Sequence, residues 1–499
     1  MATDNYDQAT GALLSSWVDK QTVQSGAAQQ TTYTRNPDGQ LTSIQNIANN
    51  TLSLTDLQCF GYDYLGRLTT AWTDTGGITT QPQPKVPNIG GCKNATPTSG
   101  AAAGHTTVGG PAAYWTSYGY DSRGNRTGVT QHDVAGNTAN DVSTTQVFAA
   151  AGQQNTPTTS PSTGGGTGGP HALMSTSSTG PNNPGATANQ YDAIGNTTAI
   201  TGTSGTTTLT WSPEDELASI TPTGATGSTT YLYDADGNQL LRTEPGKKTH
   251  FFGSDELVLN TASNTVTGTR TYALPNGLTA VRQGSTLTWQ SSDLHGTATL
   301  ALDSTTLAES RRPVDPFGVS RGTQPTAWAG DHGFVGGTQD PATGLTNLGA
   351  REYQPTTGRF LNPDPLLDPA QPQQWNGYAY SNNNPVNLSD PNGTDPAGTQ
   401  NSCAYDLSQC NSSKGECKGV NNTACGHSAE VTIASTNTSP GLTVGTYADG
   451  QPTLDGVRVP PREELIARGM NSRESYGQMV GRWIRGECEN NDNVGNTTA

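Results

Sequence analysis

The sequence predicts a mainly β protein in which short hairpins stack into one continuous sheet. Composition is the first observation behind this. The chain has 499 residues, 31% hydrophobic and 13% charged, with 61 Gly and 31 Pro. That balance is rich in turns and poor in strong helix formers, and it favours many short strands. The second observation is an internal repeat, Tyr-Asp-x-x-Gly followed by Asn or Arg. The third is a run of Asp, Pro and Gly turn clusters interleaved with aromatic residues between 334 and 393.

The repeat begins at Tyr62 (YDYLGRLTTA), Tyr120 (YDSRGNRTGV), Tyr191 (YDAIGNTTAI) and Tyr233 (YDADGNQLLR). Looser copies begin at Tyr33 (YTRNPDGQLTSI) and Trp211 (WSPEDELASI). Asp at the first corner and Gly three residues on suit a type I turn closed by a left-handed residue, the usual three-residue hairpin connection. Tyr is expected to end the incoming strand and pack over the turn. After the turn, Leu68-Thr69-Thr70-Ala71 and Thr197-Thr198-Ala199-Ile200 alternate and present one apolar face. One hairpin cannot bury that face alone, so neighbouring copies must stack.

Two inserts interrupt the array, at residues 73–116 and 151–188. Their Gly, Ser, Thr and Pro content is that of surface loops or linkers. The GGGTGG run lacks the following Lys-Ser/Thr and helix of a phosphate-binding loop. Strand patterns resume from 244 to 333, with turn sequences at Asp293-Leu294-His295-Gly296 and Asp315-Pro316-Phe317-Gly318. His295 is expected to be a structural turn residue. Between 334 and 393, three strand-like runs are separated by turns at Gln339-Asp340-Pro341, Gln354-Pro355 and Asn362-Pro363-Asp364-Pro365. Phe334, Tyr353, Phe360, Tyr378 and Tyr380 flank these turns, where rings can fill a β core.

The stretch TGLTNLGAREYQPTTGRFLNPDPL…NGYAYSNNNPVNLSDPNG resembles the RHS-repeat-associated core domain of bacterial RHS/YD-repeat proteins, a polymorphic-toxin family. The Tyr-Asp units are similar to YD repeats. The resemblance implies a long spiralling sheet forming a partial RHS shell over residues 1–333. The associated core would follow at 334–393, and a variable C-terminal, toxin-type segment at 394–499.

The resemblance also implies self-cleavage after a DPxGL motif by an aspartate-dependent activity. Here Asp390-Pro391-Asn392-Gly393 is followed by Thr394 where the family has Leu. The residues it points to are Arg359 and Asp364 in GRFLNPDP, with Asp390 as the second acid and the cut near Gly393–Thr394. Two carboxylates with separated pKa values can share a proton and activate water. The alternative is that both Asp-Pro pairs only make turns.

After Gly393 the repeats stop. Cys403, Cys410, Cys417, Cys425 and Cys488 fall here, against Cys59 and Cys92 scattered earlier. The first four lack the close pairing of zinc ligands and fit disulfides formed after export better. Cys425-Gly426-His427 is conceivable as a thiol–imidazole pair. One helix is predicted over Arg462–Arg485, opened by Pro460-Pro461 and Glu463-Glu464.

The net charge of −16 argues against nonspecific binding of nucleic acid or anionic membrane by the shell. No apolar run is long enough to span a bilayer. No signal peptide is evident, so a secreted or cell-surface location requires a route not visible in the chain. No cofactor motif and no metal site is evident. The resemblance implies the C-terminal segment as cargo, with an immunity protein or a delivery apparatus as partners. The competing reading is a non-enzymatic surface protein that binds glycans or cells, since teneurins also carry YD repeats.

Overall fold

A computed structural model describes residues 2–20, 27–75, 92, 108–149, 155–156, 167–366, 371–394 and 396–398, with short strands at 410–411, 416–417, 444–446, 452–454 and 457–458. The chain divides into two compact units, Met1–Gln400 and Asn401–Ala499. In the second, Cys410–Asn411 pairs with Glu416–Cys417, and Val444–Thr446, Pro452–Leu454 and Val457–Arg458 form a small meander. The predicted helix over Arg462–Arg485, Cys403, Cys425, His427 and Cys488 lie outside the described residues.

The first unit is built on one 23-stranded antiparallel sheet running from Ala2–Tyr6 to Glu309–Arg311. Each strand pairs with the next one of the sheet in sequence, so it is an uninterrupted meander. The hairpins share one geometry. Tyr62 pairs with Leu68, Tyr120 with Arg126, Tyr191 with Thr197 and Tyr233 with Gln239, each beside a register shift. In the turn at Tyr62, Asp63 Oδ1 accepts the N–H groups of Leu65 and Arg67 at 2.9 and 3.0 Å. Gly66 closes it at φ +78°, a conformation costly for any side chain. This is the type I turn with a left-handed closing residue that the sequence predicts.

The tyrosines do something other than cover their own turns. Tyr62 donates its hydroxyl to the Leu41 carbonyl at 2.6 Å, Tyr120 to Leu68 at 2.7 Å and Tyr233 to Leu217 at 3.1 Å. Trp211 does the same with its indole N–H, reaching the Thr197 carbonyl at 2.7 Å. Each ring therefore ties its hairpin to the returning strand of the preceding one. In the copy beginning at Tyr33, Arg35 takes the Tyr position, pairing with Leu41, and Asn36 replaces Asp.

One further expectation needs correction. The second insert is shorter than predicted, because Leu173–Thr179 is a sheet strand paired with Val142–Phe148. Its Thr and Ser side chains suit a β surface without an apolar alternation that would announce it. Cys59 and Cys92, scattered in the sequence, form a disulfide with Cα atoms 5.7 Å apart. It fixes the first insert to the sheet among Leu57, Trp72 and Trp115.

Residues 334–393 form a second layer. A four-stranded sheet, Thr338–Asp340, Leu345–Leu348, Arg351–Gln354 and Arg359–Phe360, is followed by short 3-10 turns. Its Phe334, Leu348, Tyr353, Phe360 and Tyr380 pack with Tyr33, Leu41, Phe60, Leu68 and Tyr118 of the large sheet. Tyr353 Oη closes the interface by donating to the Phe317 carbonyl at 2.7 Å. The ends of the large sheet also meet: Val18 and Ala28 pack with Leu300 and Leu302, and Lys20 pairs with Glu309 at 2.6 Å. Among the described residues, no helix is long and apolar enough to cross a membrane.

Candidate functional site

The site is assembled on the hairpin that joins Leu345–Leu348 to Arg351–Gln354. Gly349 turns at φ +68°, and a Cβ there would meet the Asn392 carbonyl oxygen at 2.7 Å. That close approach lets Ala350 donate its N–H to the same oxygen at 3.0 Å. Residues Asp390–Gly393 are docked on the hairpin and reuse the repeat turn. Asp390 Oδ1 accepts the Thr394 N–H at 2.9 Å, as Asp63 does with Arg67, and Gly393 sits at φ +67°.

Arg351 is the hub. It is 2% exposed, yet a single terminal nitrogen contacts Asp390 Oδ2 at 2.8 Å and Asp364 Oδ2 at 3.0 Å. Its other terminal nitrogen donates to the Gly377 carbonyl at 2.8 Å, and Nε donates to the Gly393 carbonyl. The guanidinium lies 3.6 Å from the centroid of the Phe360 ring. Asp364 is fixed in turn by its own N–H, which donates to the Gly377 carbonyl at 2.9 Å. Burial pushes the guanidinium below its ordinary pKa while Asp390 and Asp364 push it back up. A charge so buried is held only when paired and hydrogen-bonded on all sides.

Of the residues expected from the sequence, Asp364 and Asp390 are brought together and Arg359 is not. Arg359 donates to the His171 carbonyl and lies 4.9 Å over Phe148 and 5.3 Å over Tyr378. Burial lowers its pKa to about 10. The reason is strand alternation. Arg359 pairs with Gln354, whereas Arg351 shares its face with Tyr353, which pairs with Phe360. The two arginines therefore project to opposite faces. Arg351 was not among the residues read from the sequence, since choosing between the two arginines requires the hairpin register.

The arrangement brackets one peptide bond. Arg351 polarises the Gly393 carbonyl, and Asp390 grips the amide nitrogen of Thr394. Asp364, 12% exposed, is the carboxylate nearer solvent, while Asp390 is fully buried. Such a set can hold a water, transfer its proton and stabilise an oxyanion.

His295 sits elsewhere and bonds the Val386 carbonyl at 2.8 Å through Nε2. Asp293 Oδ1 accepts the N–H groups of His295 and Thr297, making another repeat-type turn. Burial depresses the imidazole and raises the carboxyl. Cys59, Cys92 and Asp74 bring three potential metal-ligand atoms within 4.8 Å, but the sulfurs are committed to the disulfide.

Residues 231–386 match the Teneurin YD-shell family model. Over 212 residues the chain is 34% identical to the tRNA3(Ser)-specific nuclease WapA of Bacillus spizizenii and to the tRNA nuclease WapA of Bacillus subtilis. These alignments cover 41% of this chain and 9% of each relative. Among solved structures, TcdB2-TccC3 superposes with a TM-score of 0.56 at 21% identity, over 79% of this chain and 18% of that one. The Tc holotoxin pore of Photorhabdus luminescens gives 0.56 at 22% identity over the same shares. At that identity the likeness establishes the fold alone. Repeat geometry, family match and structural likeness agree on the fold, an RHS/YD-repeat shell.

Proposed function

We propose that this protein is a polymorphic-toxin or toxin-delivery shell that cuts its own chain beside Gly393–Thr394 and frees the segment that follows. The observation that carries this reading is the guanidinium of Arg351, which binds two carboxylates and the Gly393 carbonyl at once. The relatives add support from outside the site. WapA is named as a tRNA nuclease, and one structural neighbour is TcdB2-TccC3 solved without a hypervariable C-terminal region.

The chemistry follows from the contacts. Asp364 takes a proton from water, and the resulting hydroxide adds to the Gly393 carbonyl carbon. Arg351 Nε holds the oxyanion. Asp364 then passes that proton to the Thr394 nitrogen as the C–N bond breaks, while Asp390, which accepts the Thr394 N–H at 2.9 Å, holds the amide in place. The products are a Gly393 carboxylate and a Thr394 amine. The freed segment is the cargo, and an external delivery complex would carry shell and cargo outside the producing cell.

Intact mass of the purified wild type, beside Asp364→Asn and Asp390→Asn, tests the reading. The fragment Thr394–Ala499 should appear in the wild type and in neither variant. A wild-type chain that stays whole, or variants that cut equally well, would refute it.

A further inference from the structure

We propose a second, independent catalytic centre on the face of the large sheet turned away from the associated core. There Ser117, His132 and Asp141 form a nucleophilic serine that accepts acyl groups from small activated esters.

Ser117 Oγ lies 2.9 Å from His132 Nε2, and His132 Nδ1 lies 2.8 Å from Asp141 Oδ2. One ring nitrogen thus faces a hydroxyl and the other a carboxylate, the order that makes imidazole a base toward serine. Each member is fixed by something else. Asp141 Oδ1 accepts the Asp133 backbone N–H at 2.9 Å, and the His132 backbone N–H donates to the Trp115 carbonyl at 2.8 Å. The His132 ring stacks on Trp115 with centroids 4.0 Å apart. Ser117 stands in the middle of Trp115–Tyr120, and the adjacent Tyr118 points into the core shared with Phe317. Alternation therefore turns Ser117 to the opposite face.

The same face has room for a ligand. Two residues along from Ser117, Gly119 pairs directly with Gly128, and a Cβ placed on Gly128 would meet nothing within 4 Å. Ser117 thus stands between its paired Thr70 and Thr130 and a glycine pair where a Cβ on Gly119 would meet one side-chain atom, Thr127 Oγ1, at 3.8 Å. A purely structural tie would need His132 and Asp141 to close the connection after Arg126–Gln131, but it would not need a hydroxyl in a neighbouring strand.

In the reaction, Ser117 Oγ bonds to the ester carbonyl carbon and passes its proton to His132 Nε2. The alcohol departs with that proton. Water then attacks the acyl-serine, again through His132, releasing a carboxylic acid and restoring the hydroxyl. The Ser117 backbone is paired with Thr70 on one side and Thr130 on the other. It supplies no oxyanion donor, so the substrate class is esters with good leaving groups.

The test treats the full chain with a fluorophosphonate probe and maps the adduct by mass spectrometry. We expect one adduct at Ser117, absent in Ser117→Ala and formed roughly 10²-fold more slowly in His132→Gln and Asp141→Asn. Hydrolysis of p-nitrophenyl acetate should follow the same order. Thermal melts would confirm that Ser117→Ala, which removes only a hydroxyl, remains folded. An unlabelled Ser117 in folded wild type, or equal labelling in His132→Gln, overturns the proposal.

Discussion

Arg351 donates its Nε hydrogen to the carbonyl oxygen of Gly393, across the interface between a core hairpin and the turn that ends the core. Two carboxylates on the same guanidinium make this more than a turn anchor. The bond following that carbonyl is the one whose nitrogen Asp390 holds. Arg351, Asp364 and Asp390 thus meet beside this peptide bond, and none of them lies C-terminal to it.

Replacing Arg351 by Lys should abolish the Thr394–Ala499 fragment, because an ammonium cannot serve both carboxylates and the Gly393 carbonyl in one plane. It should also lower stability by about 1–3 kcal/mol, since an ammonium leaves some of the hydrogen bonds to buried Asp390 and to the Gly377 and Gly393 carbonyls unmade. Gel analysis and urea denaturation read the two effects separately. Undiminished fragment would exclude Arg351 from the reaction.

Arg359→Ala separates the two arginines. Its loss removes the ring contacts with Phe148 and Tyr378 and the bond to the His171 carbonyl. We expect a lower unfolding midpoint, by about 2–3 kcal/mol, with the fragment still formed at a temperature where the variant is folded. A folded Arg359→Ala chain that does not cut would return Arg359 to the site.

The fold was legible because its rule is local. Asp63, Gly66 and their counterparts each build a turn from residues adjacent in sequence, and the same letters recur. Asp364 and Asp390 were singled out only through the resemblance of the motifs around them, since local rules alone read both Asp-Pro pairs as turns. Register and long-range partners were not. Tyr120 finds the Leu68 carbonyl 52 residues away, and Cys59 finds Cys92 across an insert without repeat pattern. Choosing Arg351 over Arg359 likewise depends on which hairpin residues face each other, and one step of register reverses the face.

The ties between repeats carry a testable energy. Tyr120→Phe keeps the ring and deletes only the hydroxyl that donates to Leu68 at 2.7 Å. The expected loss is about 1 kcal/mol, seen as a lower urea midpoint with an unchanged slope. No change would mean that water satisfies the carbonyl equally well in the variant.

The disulfide closes 33 residues of sequence separation. On chain-entropy grounds it should contribute about 4 kcal/mol at 25 °C. Reductant should lower the melting temperature of the wild type and leave that of Cys59→Ala/Cys92→Ala nearly unmoved. An equal shift in both would place the sensitivity in other cysteines.

Glu352 gives the contact between core and sheet a pH dependence. Burial, then the nearby Asp340 charge, raise its carboxyl to about 7 from an ordinary 4.5, against the Asn347 hydrogen bond at 2.8 Å and the Arg242 charge, which lower it. Tyr231 approaches the same cluster, donating to Asp340 at 2.6 Å. The folded state therefore holds the proton more tightly than the unfolded chain. This contribution is fully present below pH 4.5 and is lost as pH rises through about 7. The span is worth about 3 kcal/mol. Glu352→Gln keeps the carbonyl that accepts from Asn347 and cannot ionise. Urea unfolding at pH 5 and pH 8 should show the wild type losing this increment relative to the variant. Parallel pH profiles for the two proteins would show that Glu352 ionises without cost in the folded state.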